Sequence, residues 1–267
     1  MSNTTPADHP MKRRKAGALV VGLSLGLATA LSHAALNAQE SQGMTRTQTT
    51  TQSVSEILTT RQQAIVPIAA FAAAGDIAKL STALNQGLDA GLTVSDAKEV
   101  LVQLYAYAGF PRSLNALGEL MKVLDARKQR GIEDAPGHAP SRPIPTGEAL
   151  LTAGTINQTK LSGGPVKGPL FDFAPAIDGY LKTHLFGDIF ERDNLDWQSR
   201  ELATVSMLSA LSGVESQLQA HVRISMNVGL SASQVRQLVR LLAGSGLPSA
   251  AERVEEALNR QLATTAK

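Results

Sequence analysis

From Glu56 onward the apolar positions of this chain fall three and four residues apart, the period of an amphipathic helix. No stretch longer than a few residues alternates apolar and polar positions as a strand would. Arg61–Ala74 reads as an Ala-rich helix with Pro67 inside it, where a kink is expected. Asp76–Ala90 follows, with Leu80, Leu84 and Leu88 four apart; Gly91 is placed to stop it, and Thr93 or Ser95 to cap the next helix. That helix is expected over Asp96–Tyr107, and Gly109-Phe110-Pro111 breaks it. Arg112–Arg130 restarts it, with Leu114, Leu117, Met121 and Leu124 forming one stripe. Residues 131–169 are rich in Pro and Gly and read as a linker that separates two units or covers a surface. Helix returns over Phe171–Phe190, so the expected class is all-α.

Leu195–Gly229 predicts two helices with a break at Ser212-Gly213. On the first, Glu201 shares a face with Val205 and Leu208; on the second, His221 shares one with Leu218, Val222 and Ser225. A carboxylate and an imidazole that both enter an apolar interface are suited to proton transfer, because burial raises the carboxylate's proton affinity and the histidine can partner it. The same spacing also fits a hydrogen bond that only fixes helix packing, and spacing alone leaves both readings open.

The chain also resembles itself. Asn85–Thr93 (NQGLDAGLT) matches Arg223–Ser231 (RISMNVGLS) at an offset of 138 residues, and Gly109-Phe110-Pro111 matches Gly246-Leu247-Pro248 at 137. Two tandem helical repeats are therefore expected, over residues 56–130 and 170–262. The first has Gln62 or Gln63 near the place of Glu201 and Ala83 in the place of His221.

The run R-E-L-A-T at Arg200–Thr204, with A-H at Ala220-His221 and N-V-G-L-S at Asn227–Ser231, resembles the carboxymuconolactone decarboxylase family. The upstream F-G-D-I-F-x-R-x-x-L-D at Phe186–Asp196 and Y-A-Y-A-G-F-P-R-S-L-N-A at Tyr105–Ala116 are similar to further segments of that family. The resemblance implies an alkyl hydroperoxidase D-like helical fold and cofactor-free decarboxylation or isomerisation of a small carboxylated or lactone substrate. It implies Glu201 and His221 as the catalytic pair. Arg112, Tyr107 and Asn115 would come from the first repeat to bind substrate, with His184 facing the same cavity. Family members form rings of repeated units, so a homo-oligomer, a trimer of tandem units, is implied as well.

Relatives in the same superfamily reduce hydroperoxides with a Cys-x-x-Cys between the Glu and the His. This chain has no cysteine, which removes thiol peroxidase chemistry and any disulfide framework. His184, Glu201 and His221 lack the spacing of a helix-borne metal site, and no metal or cofactor is expected. Residues 1–38 read as a secretory signal: a basic Met11–Lys15, an apolar Ala16–Leu31 too short for a membrane span of about 20 residues, and small-residue cleavage sites ending at Ala34 and Ala38. The expected location is periplasmic or secreted, with no membrane anchor in the mature form. Residues 39–55, Thr/Gln/Ser-rich, read as a disordered leader. Beyond residue 38 the chain carries 21 basic and 22 acidic residues, so no basic field argues for nucleic acid. A small molecule is the expected partner; a secreted, non-enzymatic ligand-binding module on the same scaffold is the alternative.

Overall fold

The computed structural model describes residues 57–265. The expected signal (1–38) and leader (39–55) lie outside the described residues. Within them the chain forms α1 (Thr60–Ala74), α2 (Ile77–Asp89), α3 (Val94–Gln103), α4 (Tyr105–Gln129), α5 (Gly147–Ser162), α6 (Pro169–Phe173) and α7 (Pro175–Tyr180). A π-helical segment, Leu181–Ile189, leads into α8 (Trp197–Ser209), α9 (Glu215–Asn227), α10 (Ala232–Gly244) and α11 (Pro248–Thr265). There is no strand among the described residues. The protein is all-α, as the periodicity predicts and as an alkyl hydroperoxidase D-like fold requires.

Two helices sit at the centre. α1 buries Ile65, Val66 and every residue from Ile68 to Ala73; α8 buries every residue from Ser199 to Ser209. A helix buried all round must be surrounded by other helices. Ala69 and Ala73 share one apolar cluster with Ala203 and Met207 and with the core of α2–α4, whereas Val66 and Ala70 join Leu202 and Val205 in a cluster with α9–α11. The alanines allow close approach, and the pair ties both halves together.

The two flanking groups repeat the same local chemistry. Thr93 and Ser231 cap α3 and α10 with reciprocal capping boxes to Asp96 and Gln234. The turns before them close alike, Leu92 N–H donating to Gly87 C=O at 2.9 Å and Leu230 N–H to Ser225 C=O at 3.0 Å.

The helix expected over Arg61–Ala74 forms as α1 and runs through Pro67; burial of the flanking Val66, Ile68 and Ala69 outweighs one missing hydrogen bond. Three sequence expectations need correction. The helix expected over Asp96–Tyr107 ends at Gln103, and Tyr105 already belongs to α4, which bends at Gly109 (φ 81°, ψ 161°), a conformation open mainly to glycine. The inward stripe of α4 is Ser113, Ala116, Leu120, Val123 and Arg127, whereas Leu114 and Met121 stay exposed. The other two residues of the expected stripe, Leu117 and Leu124, are half-buried and pack against the core, so the stripe lies at the edge of the buried face. Residues 131–169 are not a bare linker: α5 stands in the middle and packs on the π-helical segment.

That crossing is made by two glycines. A Cβ on Gly154 would lie 1.7 Å from the Lys182 carbonyl oxygen, and one on Gly187 would lie 2.7 Å from Leu150 Cδ1. Gly118, on α4, has nothing within 4 Å of such a Cβ. We therefore expect opposite signs from one chemical change. Gly154→Ala lowers stability by about 1–3 kcal/mol or more, since backbone must move, and Gly118→Ala raises it by about 0.4–1 kcal/mol. Thermal melts followed by circular dichroism read both; equal shifts would contradict the crossing.

Candidate active site

α8 begins where Asp196 accepts from the Ser199 N–H at 2.8 Å and from the Ser199 hydroxyl at 2.8 Å. Arg200 and Glu201 follow, both fully buried and about 100° apart around the helix, so they face different neighbours. Arg200 turns to α3. Its Nη2 donates to Glu99 Oε2 and to the Arg192 carbonyl, each at 2.9 Å, and its Nη1 to Gln103 Oε1 at 3.2 Å. Glu99 also receives Arg192 in a two-pronged contact (Nη2 to Oε1, 2.6 Å; Nε to Oε2, 2.9 Å) and Asn194 Nδ2 at 3.0 Å. Burial alone would raise the Glu99 pKa, but hydrogen bonds from Arg192, Asn194 and Arg200 hold it at about 2. Gln103 closes the network, donating to the Arg200 carbonyl at 3.0 Å and to Thr204 Oγ1 at 2.7 Å.

Glu201 turns to α9 instead. Its Oε2 lies 2.8 Å from His221 Nδ1. Glu201 has no exposure and His221 8%, so the pair is almost closed to water. An ionised carboxylate only accepts, which places the proton on Nδ1 and leaves Nε2 for a ligand. The second carboxylate oxygen, Oε1, is buried without a partner. Tyr107, from α4, stands edge-on to the imidazole, with ring centroids 5.5 Å apart and planes at 84°. Its hydroxyl is buried beside Thr204 without a hydrogen bond of good geometry, while the Thr204 hydroxyl donates to Arg200 C=O and accepts from Gln103. Burial first, and the Glu201 charge second, push the Tyr107 phenol far above its ordinary range.

Glu201, His221 and Tyr107 are thus brought together by the fold. Arg112, Asn115 and His184 are not seated with them. The Arg112 guanidinium donates to the Ala73 carbonyl at the end of α1, where the last carbonyls of a helix lack partners. Asn115 is on the exposed face of α4, opposite Ser113 and Ala116. His184 is more than half exposed and is held by Asp188, with Nδ1 to Oδ2 at 2.9 Å. The Glu99–Arg200 network escaped sequence reasoning. The signal was present as Asp96, Glu99 and Gln103, polar residues at helical spacing on a helix that also buries Ala97, Val100 and Leu101. No group of three or more His, Cys, Asp or Glu side chains suited to a metal occurs among the described residues.

The described residues define an all-α protein whose buried His–carboxylate pair bridges consecutive helices, with an aromatic hydroxyl supplied from the other half of the chain. Residues 175–259, which hold α7 through most of α11, match the carboxymuconolactone decarboxylase family. The chain is also similar to the 4-carboxymuconolactone decarboxylase of Acinetobacter baylyi, 28% identical over 96 residues that cover 35% of this chain and 71% of that protein.

The Glu99 network makes a pH prediction. Its folded pKa, about 2, lies below the ordinary 4.5, so its contribution is complete above pH 4.5 and is lost as pH falls toward 2. The loss should reach about 2–3 kcal/mol. Glu99→Gln should remove most of that acid dependence and lower stability at neutral pH by about 3–5 kcal/mol, because Arg200 is left buried without its carboxylate. Urea titrations at a series of pH values check both.

Proposed function

We propose that this chain is a cofactor-free acid–base enzyme of the decarboxylase type, acting on a small carboxylated, conjugated ring such as a lactone. The observation that carries the reading is the buried Glu201–His221 pair at 2.8 Å, with Glu201 Oε1 and the Tyr107 hydroxyl both buried and unpartnered beside it. A structural hydrogen bond needs one oxygen of the carboxylate. Two more unpaired polar atoms in the same place are costly to keep unless something binds them.

In the reaction, the bond between the ring carbon and the substrate carboxylate breaks and CO₂ leaves. The electron pair moves into the conjugated carbonyl, giving an enolate. His221, protonated at Nε2 and held at Nδ1 by Glu201, returns a proton to carbon and is reprotonated from solvent. The Tyr107 hydroxyl, kept as a donor by its raised pKa, hydrogen-bonds the enolate oxygen as charge develops. The proposal omits Arg112 and Asn115, whose side chains are directed elsewhere. Thiol peroxidase chemistry is ruled out by the absence of cysteine.

The same reading takes the two four-helix groups as diverged copies of one unit, supported by the matched caps and turns. It includes an exported chain and a homo-oligomer, both resting on the sequence. None of the described helices is long and apolar enough to cross a membrane. The near-closure of the pair favours one other reading: a hydrogen bond that locks α8 to α9 in a non-enzymatic ligand-binding module.

Turnover of 4-carboxymuconolactone and related lactones, followed by CO₂ release, separates the two. We expect His221→Ala and Glu201→Gln each to cut kcat by about 10²-fold or more. Tyr107→Phe should cut it by about 10²-fold while leaving Tm level or higher, because a buried unpaired hydroxyl is lost. Arg112→Ala should lower Tm and leave kcat unchanged. Wild-type protein that binds lactones without releasing CO₂, with variants that change only Tm, would establish the non-enzymatic reading.

A further inference from the structure

A second histidine–carboxylate pair lies outside the buried site, and it borders a pocket. The start of α4, α7 and the π-helical segment enclose a surface cavity of about 370 Å³, lined by Tyr105, Ile177, Tyr180, Leu181, His184 and Leu185 among others. Its volume and its mix of apolar walls with a few convergent polar groups are those of a small-molecule site. Tyr180 (58% exposed) and Ile177 (44%) hold apolar surface toward solvent, although the buried core lies directly beneath at Leu185.

The walls carry aromatic rings. Tyr105 is backed by Phe110, with centroids 4.6 Å apart and rings within 9° of parallel, across the bend at Gly109. Opposite, the rings of Tyr180 and His184 lie 5.9 Å apart, tilted by 32°. The polar end is equally defined. Asp188 Oδ2 lies 2.9 Å from His184 Nδ1 and accepts from it in the neutral tautomer that leaves Nε2 with a lone pair. Asp188 also acts on Tyr105, whose phenol is raised by burial first and by that carboxylate second. The neighbouring Asp178 is joined to Lys182, so no free cation of that pair is left to draw in an anion.

We propose that this pocket binds a neutral planar ring carrying a hydroxyl group, a phenol, with the ring against Tyr180 and the hydroxyl donating to Nε2 of His184. Offset or edge-on contact with Tyr105 and Tyr180 selects a flat ring over a saturated one. The acceptor nitrogen and the Asp188 carboxylate select a hydroxyl over a carboxylate, which has no proton to donate to Nε2 and whose charge would face that of Asp188. The site is independent of the Glu201–His221 chemistry and takes a ligand of different charge.

The test is saturation-transfer and chemical-shift titration of the full chain with phenol, benzoate and cyclohexanol. Phenol should bind saturably with Kd of about 1 mM, and the other two about tenfold more weakly. Tyr180→Ala and His184→Ala, both at exposed positions, should each weaken phenol by about fivefold or more, and Glu201→Gln should leave its binding unchanged. Benzoate binding as tightly as phenol, no saturation in the millimolar range, or phenol binding lost in Glu201→Gln and kept in Tyr180→Ala would each overturn the assignment. The ligand comparison is made on the unaltered chain, so it stands even where a variant fails to fold.

Discussion

Arg200 has no exposure to water, and Glu99 is the group that allows it to stay there. A guanidinium moved into a protein interior loses hydration that a single neutral partner cannot replace. Here the opposing carboxylate, a carbonyl and an amide oxygen all converge on it, from α3 and from the loop ahead of α8. The consequence reaches beyond one ion pair. Arg200 fixes the rotation of α8 about its axis, and the next residue is Glu201. With Arg200 turned to α3, Glu201 is directed at α9 and meets His221. The network is thus the part of the structure on which the candidate site depends, although none of its side chains touches the imidazole.

The helical class was legible because periodicity is a property of every turn: Leu80, Leu84 and Leu88 lie four apart and all three are buried. The Glu201–His221 meeting was legible for a related reason, since each residue shares a helix face with buried apolar neighbours, Val205 and Val222 among them. What periodicity cannot read is the distance between helices. On α4 the buried face is rotated from the expected stripe: Ser113 and Ala116 lie inside, Leu117 and Leu124 at the edge, and Leu114 and Met121 outside. On α5, Gly154 is invisible as a contact until the Lys182 carbonyl is placed against it.

The misplaced site residues share one cause. Arg112 and Asn115 were tied to Tyr107 as members of one motif, Tyr105–Ala116, yet Gly109 lies between them and turns the chain. Tyr107, before the bend, looks toward α8 and α9, whereas Arg112, after it, reaches back to α1. His184 was assigned by proximity in sequence to α8, but its π-helical segment presents Leu185, Phe186 and Ile189 to the core and leaves the imidazole outside. Long polar side chains are the least predictable of all, because one carbonyl within reach decides where they go.

The two histidines separate two kinds of chemistry that one residue type can perform. His184 and Asp188 are both wet, so water screens their interaction and the imidazole serves as an oriented hydrogen-bond acceptor. His221 and Glu201 are dry, and the same pairing there acts at a low effective dielectric, where moving one proton changes the local field strongly. That difference is what an enclosed acid–base reaction exploits: charge that develops on a bound ring is answered by fixed groups rather than by solvent. Tyr107 takes part because a phenol held neutral keeps its proton available to donate. A buried phenolic donor beside a proton-bearing imidazole is complementary to a reacting centre that gains negative charge at oxygen as it takes a proton at carbon.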